Sequence, residues 1–237
     1  MTQAHAGKVA VVSGSRRGLG RLITEHLLEQ GVTVHGIARG EASFEAAGYT
    51  HHVADVADAA AVDAVFRHIR GERMGLDYLI NNAGVATSGF AMMLPPTAAS
   101  EMVSTNLLGT FHLSRAAAKL MTKRRTGRIV NIGSIMAVVE PAGGSIYAAT
   151  KAAIETLAHV LAKELGPVGI TCNTLGLSVI ETDMLDTLSR DLLNTIVASM
   201  PIARPATPAD VMNVLDFLLS DASGYITAQT IYLGGLH

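Results

Sequence analysis

The sequence VAVVSGSRRGLG, residues 9–20, decides the fold that we predict for this chain. Its apolar, β-branched beginning is typical of a buried strand, and the glycines that follow precede a helical pattern. Gly14 permits a tight turn, Gly18 lets the backbone approach a pyrophosphate, and Gly20 lets the helix pack closely on the strand. The alternative is that the glycines serve only a turn, but their place directly between a strand and a helix favours a dinucleotide site.

Short strand-like segments and amphipathic segments alternate along the rest of the chain. The predicted strands are Val9–Ser13, Thr33–Ala38, His52–Ala54, Tyr78–Asn81, Ile129–Ile132, Ile170–Leu175 and Thr230–Leu233. The predicted helices are Leu19–Gln30, Ala57–Gly71, Thr97–Lys123, Tyr147–Gly166 and Pro208–Leu219, with room for only one or two helical turns within Gly40–Thr50. Such alternation implies right-handed crossovers and a parallel sheet that is covered on both faces. We therefore predict an α/β fold in a single domain, residues 1–237, with one Rossmann-like doubly wound parallel sheet of about seven strands and helices on both faces.

Composition and charge exclude several classes of function. The 237 residues are 49% hydrophobic and have a formal net charge of -2, so nothing in the charge favours a nucleic acid or an anionic membrane as a partner. The first residues lack an apolar signal segment, and no apolar run is long enough to span a membrane, so we expect a cytoplasmic protein. The single cysteine, Cys172, lies in an apolar run and is expected in the core, and no cluster of His, Cys and carboxylate residues suggests a metal.

The residues at the end of the second predicted strand indicate which dinucleotide binds. An NAD-selective site usually has an acidic residue there, which accepts hydrogen bonds from the adenosine ribose, whereas this chain has Ile37, Ala38 and Arg39. Arg39 together with Arg16 or Arg17 can pair with a 2′-phosphate through planar, bidentate contacts. We therefore predict NADP (NADPH) as the preferred cofactor, with NAD as the alternative. The alternative is that these arginines are only solvated at loop ends, but this would not explain why the second strand lacks an acidic residue at its end.

Three residues with catalytic potential follow the fifth predicted strand. Ser134 lies where that strand ends, and Tyr147 and Lys151, four residues apart, share one face of the next helix. A free tyrosine has a pKa of about 10, and a lysine cation held against the phenol would lower that pKa, which makes the phenol a workable proton donor or acceptor. A Tyr and a Lys at this spacing also occur in many helices by chance, so the interpretation depends on the rest of the chain.

Taken together, these motifs resemble those of the short-chain dehydrogenase/reductase family. The resemblance is carried, in order, by SGSRRGLG at residues 13–20, NNAG at Asn81–Gly84, Asn106 in a long helix, Ser134, Tyr147, Lys151, Asn173 and Glu181-Thr182-Asp183. It spans about Lys8 to Gly235, and within the family Arg39 and the ending YITAQTIYLGG are most similar to 3-oxoacyl-(acyl-carrier-protein) reductases. The resemblance implies an NAD(P)-dependent short-chain oxidoreductase that acts on CH–OH and C=O groups.

The resemblance also implies a role for each residue of the site. Tyr147 would donate a proton to the carbonyl oxygen, and Ser134 would orient that oxygen. Lys151 would hold the nicotinamide ribose and lower the pKa of the tyrosine, and Asn106 would bind a water for proton resupply. The residues expected to bind the cofactor are Gly14, Ser15, Arg16, Arg17, Gly18, Leu19, Gly20, Arg39, Asp55, Val56, Asn82, Ala83, Gly84, Tyr147, Lys151, Ile180 and Thr182. Asp55 has N-capping of the following helix as its alternative, and Asn81 is expected to serve only the sheet.

The substrate pocket is expected to be apolar. Residues 181–208 read as a helix followed by prolines, which suits a substrate lid or, as the alternative, a surface helix packed on the core. The other predicted walls are Met92, Met93, Leu94, Val138, Val139 and Pro141. The family commonly has Pro-Gly where this chain has Leu177-Ser178, so the path of the chain past the nicotinamide is free to differ.

We therefore expect an NADPH-dependent reductase that transfers hydride to a ketone, either a 3-oxoacyl thioester or a similar apolar carbonyl compound. The alternatives are an NAD(P)-dependent alcohol dehydrogenase working in the oxidative direction and a non-catalytic cofactor-binding protein. The substrate would be a small molecule or would be bound to a carrier protein. A carrier protein could dock on the basic residues Lys123, Arg124, Arg125 and Arg128. The alternative is that these cations only stabilise the C-terminus of the helix through its dipole. The resemblance implies a homotetramer that buries the two long helices between subunits.

Overall fold

The computed structural model describes residues 5–72, 74–180 and 190–235. The strands are β1 (Val9–Ser13), β2 (Thr33–Ala38), β3 (Tyr49–Val53), β4 (Tyr78–Asn81), β5 (Gly127–Ser134), β6 (Ile170–Leu177) and β7 (Thr230–Tyr232). The helices are α1 (Gly18–Glu29), α2 (Ala59–Gly71), α3 (Pro96–Met102), α4 (Gly109–Arg124), α5 (Met136–Val139), α6 (Ser145–Leu165), α7 (Arg190–Ser199) and α8 (Pro208–Leu219). A π-helical turn, Val103–Leu108, joins α3 to α4, and 3₁₀ turns follow α6 at Gly166–Val168 and α8 at Asp221–Ser223.

The seven strands of the described residues form one parallel sheet in the order β3-β2-β1-β4-β5-β6-β7. The order reverses at β1, because β2 lies on one side of it and β4 on the other. The predicted fold, one doubly wound parallel sheet with helices on both faces, is confirmed. In such a sheet, ligands bind outside the carboxyl ends of the strands, next to the point of reversal.

Apolar side chains of the strands build a core on each face of the sheet. Val11 in β1 packs with residues of α2, α4 and α6, and the neighbouring Val12 packs with residues of α1 and α8. Successive residues of a strand point to opposite faces, so a strand that is buried on both faces is apolar throughout. The two cores fix the sheet, and the loops at the carboxyl ends of its strands therefore start from rigid positions.

A third, smaller apolar cluster lies beyond the carboxyl ends of β5 and β6. Ile135 after β5, Val179 after β6, and Ile196 and Met200 at α7 are buried and pack together. Ala206 N donates a hydrogen bond to the Val179 carbonyl at 2.8 Å. Helix α7 is thereby attached to the segments that follow the two strands.

The predicted helix Thr97–Lys123 is one helical stretch that contains a wider turn. This π-helical turn carries Asn106, whose Oδ1 accepts a hydrogen bond from Val85 N at 2.8 Å and whose Nδ2 donates to the Val85 carbonyl at 2.9 Å. The two bonds tie the turn to the segment after β4. Apolar periodicity does not encode such a contact, so the sequence pattern predicted a regular helix.

The connection from β2 to β3 also differs from the prediction. Gly40–Thr50, where at most one or two helical turns were expected, contains no helix, and β3 begins at Tyr49 and not at His52. Phe44 stacks on Tyr49 with ring centroids 4.5 Å apart, and Tyr49 pairs with Val34 in β2. Because β3 is an edge strand with polar residues, apolar alternation does not mark its start.

The single domain with a lid at residues 181–208 stays a prediction. Residues 181–189 lie outside the described residues, and α7 accounts for the helical part that follows them. Within residues 5–72, 74–180 and 190–235, no helix has the length and apolar content that a bilayer crossing requires. Nor do these ranges contain a group of three or more His, Cys, Asp or Glu side chains that could hold a metal ion.

Candidate active site

A cleft of about 750 Å³ opens at the carboxyl ends of the strands. Its walls come from the segments that follow β1 to β6 and from α1, α6 and α7. The predicted site residues that line it are Gly14, Arg16, Arg17, Gly18, Leu19, Gly20, Arg39, Asp55, Val56, Asn82, Ala83, Gly84, Ser134, Tyr147, Lys151 and Ile180. The sheet thus brings most of the expected cofactor residues and three of the expected catalytic side chains to one cavity.

Two predicted site residues, Ser15 and Asn106, do not line the cleft, and a third is not described by the structure. Ser15 is fully buried, does not line the cleft, and hydrogen-bonds the Tyr49 hydroxyl at 3.1 Å. Asn106 is fully buried next to Gly84, and Thr182 lies outside the described residues. For Ser15, only the backbone is left to contact a cofactor, because β3 supplies a partner for its hydroxyl.

The N-terminus of α1 fits a pyrophosphate. Its N-cap, Arg17, is extended and makes no side-chain bond to the helix, and the first turn contains no acidic residue. Gly18 has a φ of 54°, and a Cβ built on it would meet no atom within 4 Å, so the cleft is open there. Backbone N–H groups at a helix N-terminus, together with the helix dipole, favour an anion. The glycine-rich turn can therefore receive the phosphates of a dinucleotide.

Gly14, Gly20 and Asn82 pack tightly where β1 and β4 end. Gly14 has a φ of 70°, and a Cβ on Gly20 would overlap the Gly14 carbonyl, so neither position accepts a side chain. Asn82 Nδ2 donates to the Ser13 carbonyl at 3.0 Å, and the Ser13 hydroxyl accepts from the N–H groups of Asn82 and Ala83, each at 3.0 Å. These bonds join the two strand ends at the point where the strand order reverses.

Three guanidinium groups gather at the end of the cleft beyond β1 and β2. Arg16, Arg17 and Arg39 are exposed and line the cleft, and Arg16 Nε donates to the Glu41 carbonyl at 3.0 Å. Arg39 Nη1 lies 3.2 Å from Glu101 Oε1 of α3, in an exposed ion pair. The end of β2 therefore carries positive charge, and the Glu101 carboxylate lies beside Arg39.

Two polar residues, Asp55 and Asn81, form hydrogen bonds that support the nearby backbone or the sheet. Asp55 Oδ1 accepts from Ala57 N at 2.9 Å, whereas the N-cap of α2 is Asp58. The alternative assignment of Asp55 as the cap of that helix is therefore wrong, because the helix begins later than predicted. Asn81 Nδ2 donates to Asn131 Oδ1 at 2.8 Å, so this amide joins β4 to β5 as expected.

Ser134, Tyr147 and Lys151 meet at the other end of the cleft. Ser134 is the last residue of β5, and its hydroxyl accepts a hydrogen bond from Met136 N at 3.2 Å. Tyr147 lies in the first turn of α6, and the Ser134 side chain is the neighbour that lowers the pKa of its hydroxyl. Lys151 Nζ lies 5.7 Å from the centroid of the Tyr147 ring and donates to the Ile132 carbonyl at 2.8 Å. Two hydroxyl groups and one ammonium group are thus gathered in one part of the cleft.

Burial governs the protonation of Tyr147 and Lys151. It raises the pKa of the Tyr147 phenol, and the neighbouring Ser134 side chain offsets this only in part. Burial also lowers the pKa of the Lys151 ammonium group from 10.5 to about 8. The sequence analysis expected Lys151 to lower the pKa of the tyrosine. In the protein alone this pKa is raised instead, because desolvation of the phenol dominates. Tyr147 is therefore protonated at neutral pH, which is the state that a proton donor needs.

Asn106 connects the π-helical turn to α6. Its Nδ2 donates to Thr150 Oγ1 at 3.1 Å, and the Thr150 hydroxyl donates to the Tyr147 carbonyl at 2.8 Å. The Asn106 carbonyl accepts from the Thr110 hydroxyl at 2.7 Å. This residue therefore supports the helix that presents Tyr147, and its expected role in binding a water stays a prediction.

The apolar wall of the cleft differs from the predicted one. Met92 and Met93 are 92% and 75% exposed, and neither they nor Leu94, Val138, Val139 and Pro141 line the cleft. The lining residues that the sequence analysis missed include Val85, Ala86, Thr87, Ser88, Ile135, Met136, Leu177, Val179 and Ile196. Most of them follow β4, β5 and β6 directly, so the rule that ligands bind beyond the carboxyl ends of parallel strands is the signal that could have found them.

Comparison with known proteins agrees with this geometry. A family model described as Enoyl-(Acyl carrier protein) reductase matches residues 14–237. The 3-oxoacyl-[acyl-carrier-protein] reductases FabG of Escherichia coli (strain K12) and Salmonella typhimurium are 36% and 35% identical to this chain over 235 residues, which cover 97% of this chain and 96% of each relative. The chain belongs to the short-chain dehydrogenase/reductase family. It is an NAD(P)-dependent short-chain oxidoreductase, and its cofactor is a nicotinamide dinucleotide.

Two solved structures share the fold of this short-chain dehydrogenase/reductase over its whole length. A candidate gluconate dehydrogenase from Agrobacterium tumefaciens superposes with a TM-score of 0.89 at 27% identity, covering 99% of this chain and 97% of that one. The 3-oxoacyl-[acyl-carrier protein] reductase from Brucella melitensis superposes with a TM-score of 0.87 at 28% identity, covering 99% and 93%. The similarity therefore extends to both ends of the sheet.

One departure from the family pattern lies beside the site, where Leu177-Ser178 stands in place of the common Pro-Gly. Leu177 extends β6, pairs with Ser134, and accepts a hydrogen bond from Ile135 N at 2.9 Å. Ile180 then forms a parallel bridge with Ala206. In this short-chain dehydrogenase/reductase the path past the cleft is therefore fixed by sheet hydrogen bonds and not by a proline.

Proposed function

We propose that this chain reduces the ketone of a 3-oxoacyl thioester carried on acyl carrier protein, and that it uses NADPH. One observation carries the proposal: Ser134, Tyr147 and Lys151 gather at one end of a cleft whose other end combines a helix N-terminus with three guanidinium groups. The printed function of the FabG relatives supports the substrate class.

Tyr147 and Ser134 act on the carbonyl oxygen of the substrate. A nicotinamide cofactor, when bound, supplies the hydride that the carbonyl carbon accepts. The Tyr147 phenol gives its proton to the carbonyl oxygen as negative charge develops there. Its raised pKa keeps the proton on the phenol until then, and Ser134 donates a second hydrogen bond to the same oxygen.

Lys151 has two roles in this scheme. Its ammonium group would bind the nicotinamide ribose, and its positive charge would stabilise the phenolate that proton transfer leaves behind. With a pKa of about 8, the ammonium group is charged at neutral pH. Asn106, bonded to α6 through Thr150, holds the water from which the phenolate regains a proton.

We assign the preference for NADPH over NADH to the arginines that line the cleft. Arg39, with Arg16 or Arg17, would bind the 2′-phosphate of the adenosine ribose, because guanidinium groups suit phosphate oxygens. The end of β2 offers no carboxylate that would select NAD. Backbone around Ile180 would hold the nicotinamide carboxamide, together with the hydroxyl of Thr182, which lies outside the described residues.

The Tyr147→Phe variant tests the enzymatic proposal. We expect the wild type to oxidise NADPH in the presence of acetoacetyl thioesters, which is followed by the loss of NADPH absorbance. Removing the phenolic hydroxyl should lower kcat by about 10²–10⁴-fold, because only the proton donor is lost. Titration of NADPH fluorescence should show that the variant still binds the cofactor. A variant that keeps its turnover, or a wild type that reduces no carbonyl compound, would refute the proposal.

The carrier protein is proposed as the partner from the names of the relatives and not from a basic patch. Arg128 is only 8% exposed and donates to the Ser220 carbonyl at 3.3 Å, and Arg124 lies 3.2 Å from Asp77. These two members of the predicted patch are therefore already engaged. A lower KM for acetoacetyl-(acyl carrier protein) than for acetoacetyl-coenzyme A would support the carrier, and equal KM values would favour a free thioester.

The second candidate function is the oxidation of an alcohol with NAD(P). The observation that favours it is the TM-score of 0.89 with the candidate gluconate dehydrogenase. A panel of ketones, acyl thioesters, alcohols and sugar acids, assayed with both cofactors in both directions, separates the two functions by the ratio of kcat/KM values.

We also propose a homotetramer. The exposed apolar side chains along the π-helical turn, α4 and α6 include Val103, Leu108, Phe111 and Val160. Helices with such faces suit burial against another copy of the chain. The cytoplasmic location expected from the sequence stays a prediction.

A further inference from the structure

We propose that Glu101 limits the preference of this enzyme for NADPH over NADH. Its carboxylate binds Arg39 in the place that the 2′-phosphate would otherwise take. This inference rests on the proposed function, in which Arg39 binds that phosphate. It adds a specificity-determining residue that lies on α3, outside the glycine-rich turn and outside β2.

The geometry of the pair supports the substitution. Arg39 follows β2 directly and lines the cleft, and its Nη1 lies 3.2 Å from Glu101 Oε1. Both side chains are more than half exposed. A carboxylate and a phosphate each offer a guanidinium group a pair of anionic oxygen acceptors. The two acceptors therefore compete for one donor group.

Arg39 differs in this respect from the other two arginines of the cleft. Among the described residues, neither Arg16 nor Arg17 forms an ion pair with a carboxylate. Arg16 donates instead to the Glu41 carbonyl, and its guanidinium group lies beside Gly40. The charge that Glu101 offsets is thus specifically the charge at the end of β2.

The effect should be small and dependent on salt. Exposed ion pairs contribute little to binding, and salt screens them. We expect Glu101 to weaken the binding of a 2′-phosphorylated ligand by about two- to fivefold at low ionic strength. Ligands without that phosphate should be unaffected.

The test uses two nucleotides that differ only in the 2′-phosphate, adenosine 2′,5′-bisphosphate and adenosine 5′-monophosphate, with calorimetry as the readout. Glu101→Gln removes the charge and keeps the size of the side chain. Affinity for the bisphosphate should rise about two- to fivefold, and affinity for the monophosphate should not change. At about 1 M salt the gain should disappear, because charges are then screened within a few ångströms. The matched control is Asp63→Asn. Asp63 Oδ1 lies 3.4 Å from Arg115 Nη1 in a similarly exposed pair, and neither residue lines the cleft.

Arg39→Ala and the double variant Arg39→Ala/Glu101→Gln separate this inference from the function on which it rests. If Arg39→Ala leaves bisphosphate affinity unchanged, the assignment of the 2′-phosphate to Arg39 is wrong. If Arg39→Ala weakens the bisphosphate and Glu101→Gln changes nothing, the role of Arg39 stands and the inference about Glu101 fails. A gain from Glu101→Gln that is equally large in the Arg39→Ala background would also overturn it, because Glu101 would then act without Arg39. A gain that vanishes in that background supports it.

Discussion

At the scale of single residues, Lys151 is a buried cation that forms no ion pair with the described residues, and its partner is the Ile132 carbonyl. Burial lowers its pKa from 10.5 to about 8. Between these two pH values the unfolded chain therefore binds more protons than the folded chain. The free energy of unfolding must then rise with pH through this window, which means that the folded protein bears a cost at neutral pH.

We expect Lys151→Met to remove that dependence. From pH 8 to pH 10.5 the unfolding free energy of the wild type should gain up to roughly 3 kcal/mol relative to the variant, because each pKa unit corresponds to about 1.4 kcal/mol. Urea unfolding of both proteins at pH 7.5, 9 and 10.5, at one fixed protein concentration, measures the difference. Parallel curves for the two proteins would contradict the lowered pKa of Lys151.

Sequence spacing was sufficient to predict where the proposed catalytic side chains lie on their strand and helix, but it was insufficient to give their pKa values. Ser134 at a strand end, and Tyr147 and Lys151 on one helix face, follow from local periodicity, and the structure places them as predicted. The raised pKa of Tyr147 depends on burial by distant segments, which spacing does not report. In the same way, the hydroxyl of Ser15 is taken up by Tyr49 from a strand that the glycine-rich turn cannot specify.

At the scale of elements, α1 and α8 are joined by a histidine–carboxylate pair on one face of the sheet. His26 Nε2 lies 2.9 Å from Asp216 Oδ1, and Gln30 Nε2 donates to the same carboxylate. The hydrogen bond with Asp216 is the largest cause that raises the pKa of His26 above 6.5. A raised histidine pKa stabilises the folded state fully below pH 6.5, and this contribution is lost as the pH rises through the raised value.

We expect His26→Gln to destabilise the protein more in acid than in base. The loss in unfolding free energy should be about 1 kcal/mol larger at pH 5.5 than at pH 8.5, because only the charged imidazole makes the strong bond. Thermal or urea unfolding at the two pH values gives the comparison. An equal loss at both would show that His26 contributes as a neutral hydrogen-bonding group only.

Elements with strong apolar periodicity were predicted to within a few residues, and those held by polar contacts were not. β1, β2 and β4 have the predicted bounds because both of their faces are buried. The π-helical turn exists because Asn106 bonds outside its own helix, and β3 begins early because its edge position tolerates polar residues. Neither effect leaves a trace in apolar alternation.

At the scale of the whole molecule, the exposed apolar face of α4 and α6 predicts association. Phe111 and Val160 are 41% and 45% exposed. We expect the double variant Phe111→Glu/Val160→Glu to shift the protein from a tetramer to smaller species, because a charge buried in an interface without a partner is costly. Size-exclusion chromatography with light scattering measures the mass.

The control for this experiment is Met74→Glu, which changes a 48% exposed apolar side chain outside those helices. It should leave the mass unchanged. A wild type that is already monomeric would contradict the proposed tetramer, and a double variant of unchanged mass would show that another face forms the contact.

The strand order places Arg39 and Ser134 at the ends of strands that are three spacings apart in the sheet, about 14 Å. Arg39, which is proposed to distinguish one coenzyme from the other, is more than half exposed, whereas Ser134 and Lys151 of the proposed catalytic group are buried. Substitutions on one side therefore need not disturb the other. If the proposed roles hold, we expect that substitutions of a few surface residues can change which nicotinamide pool supplies this enzyme and leave its chemistry intact.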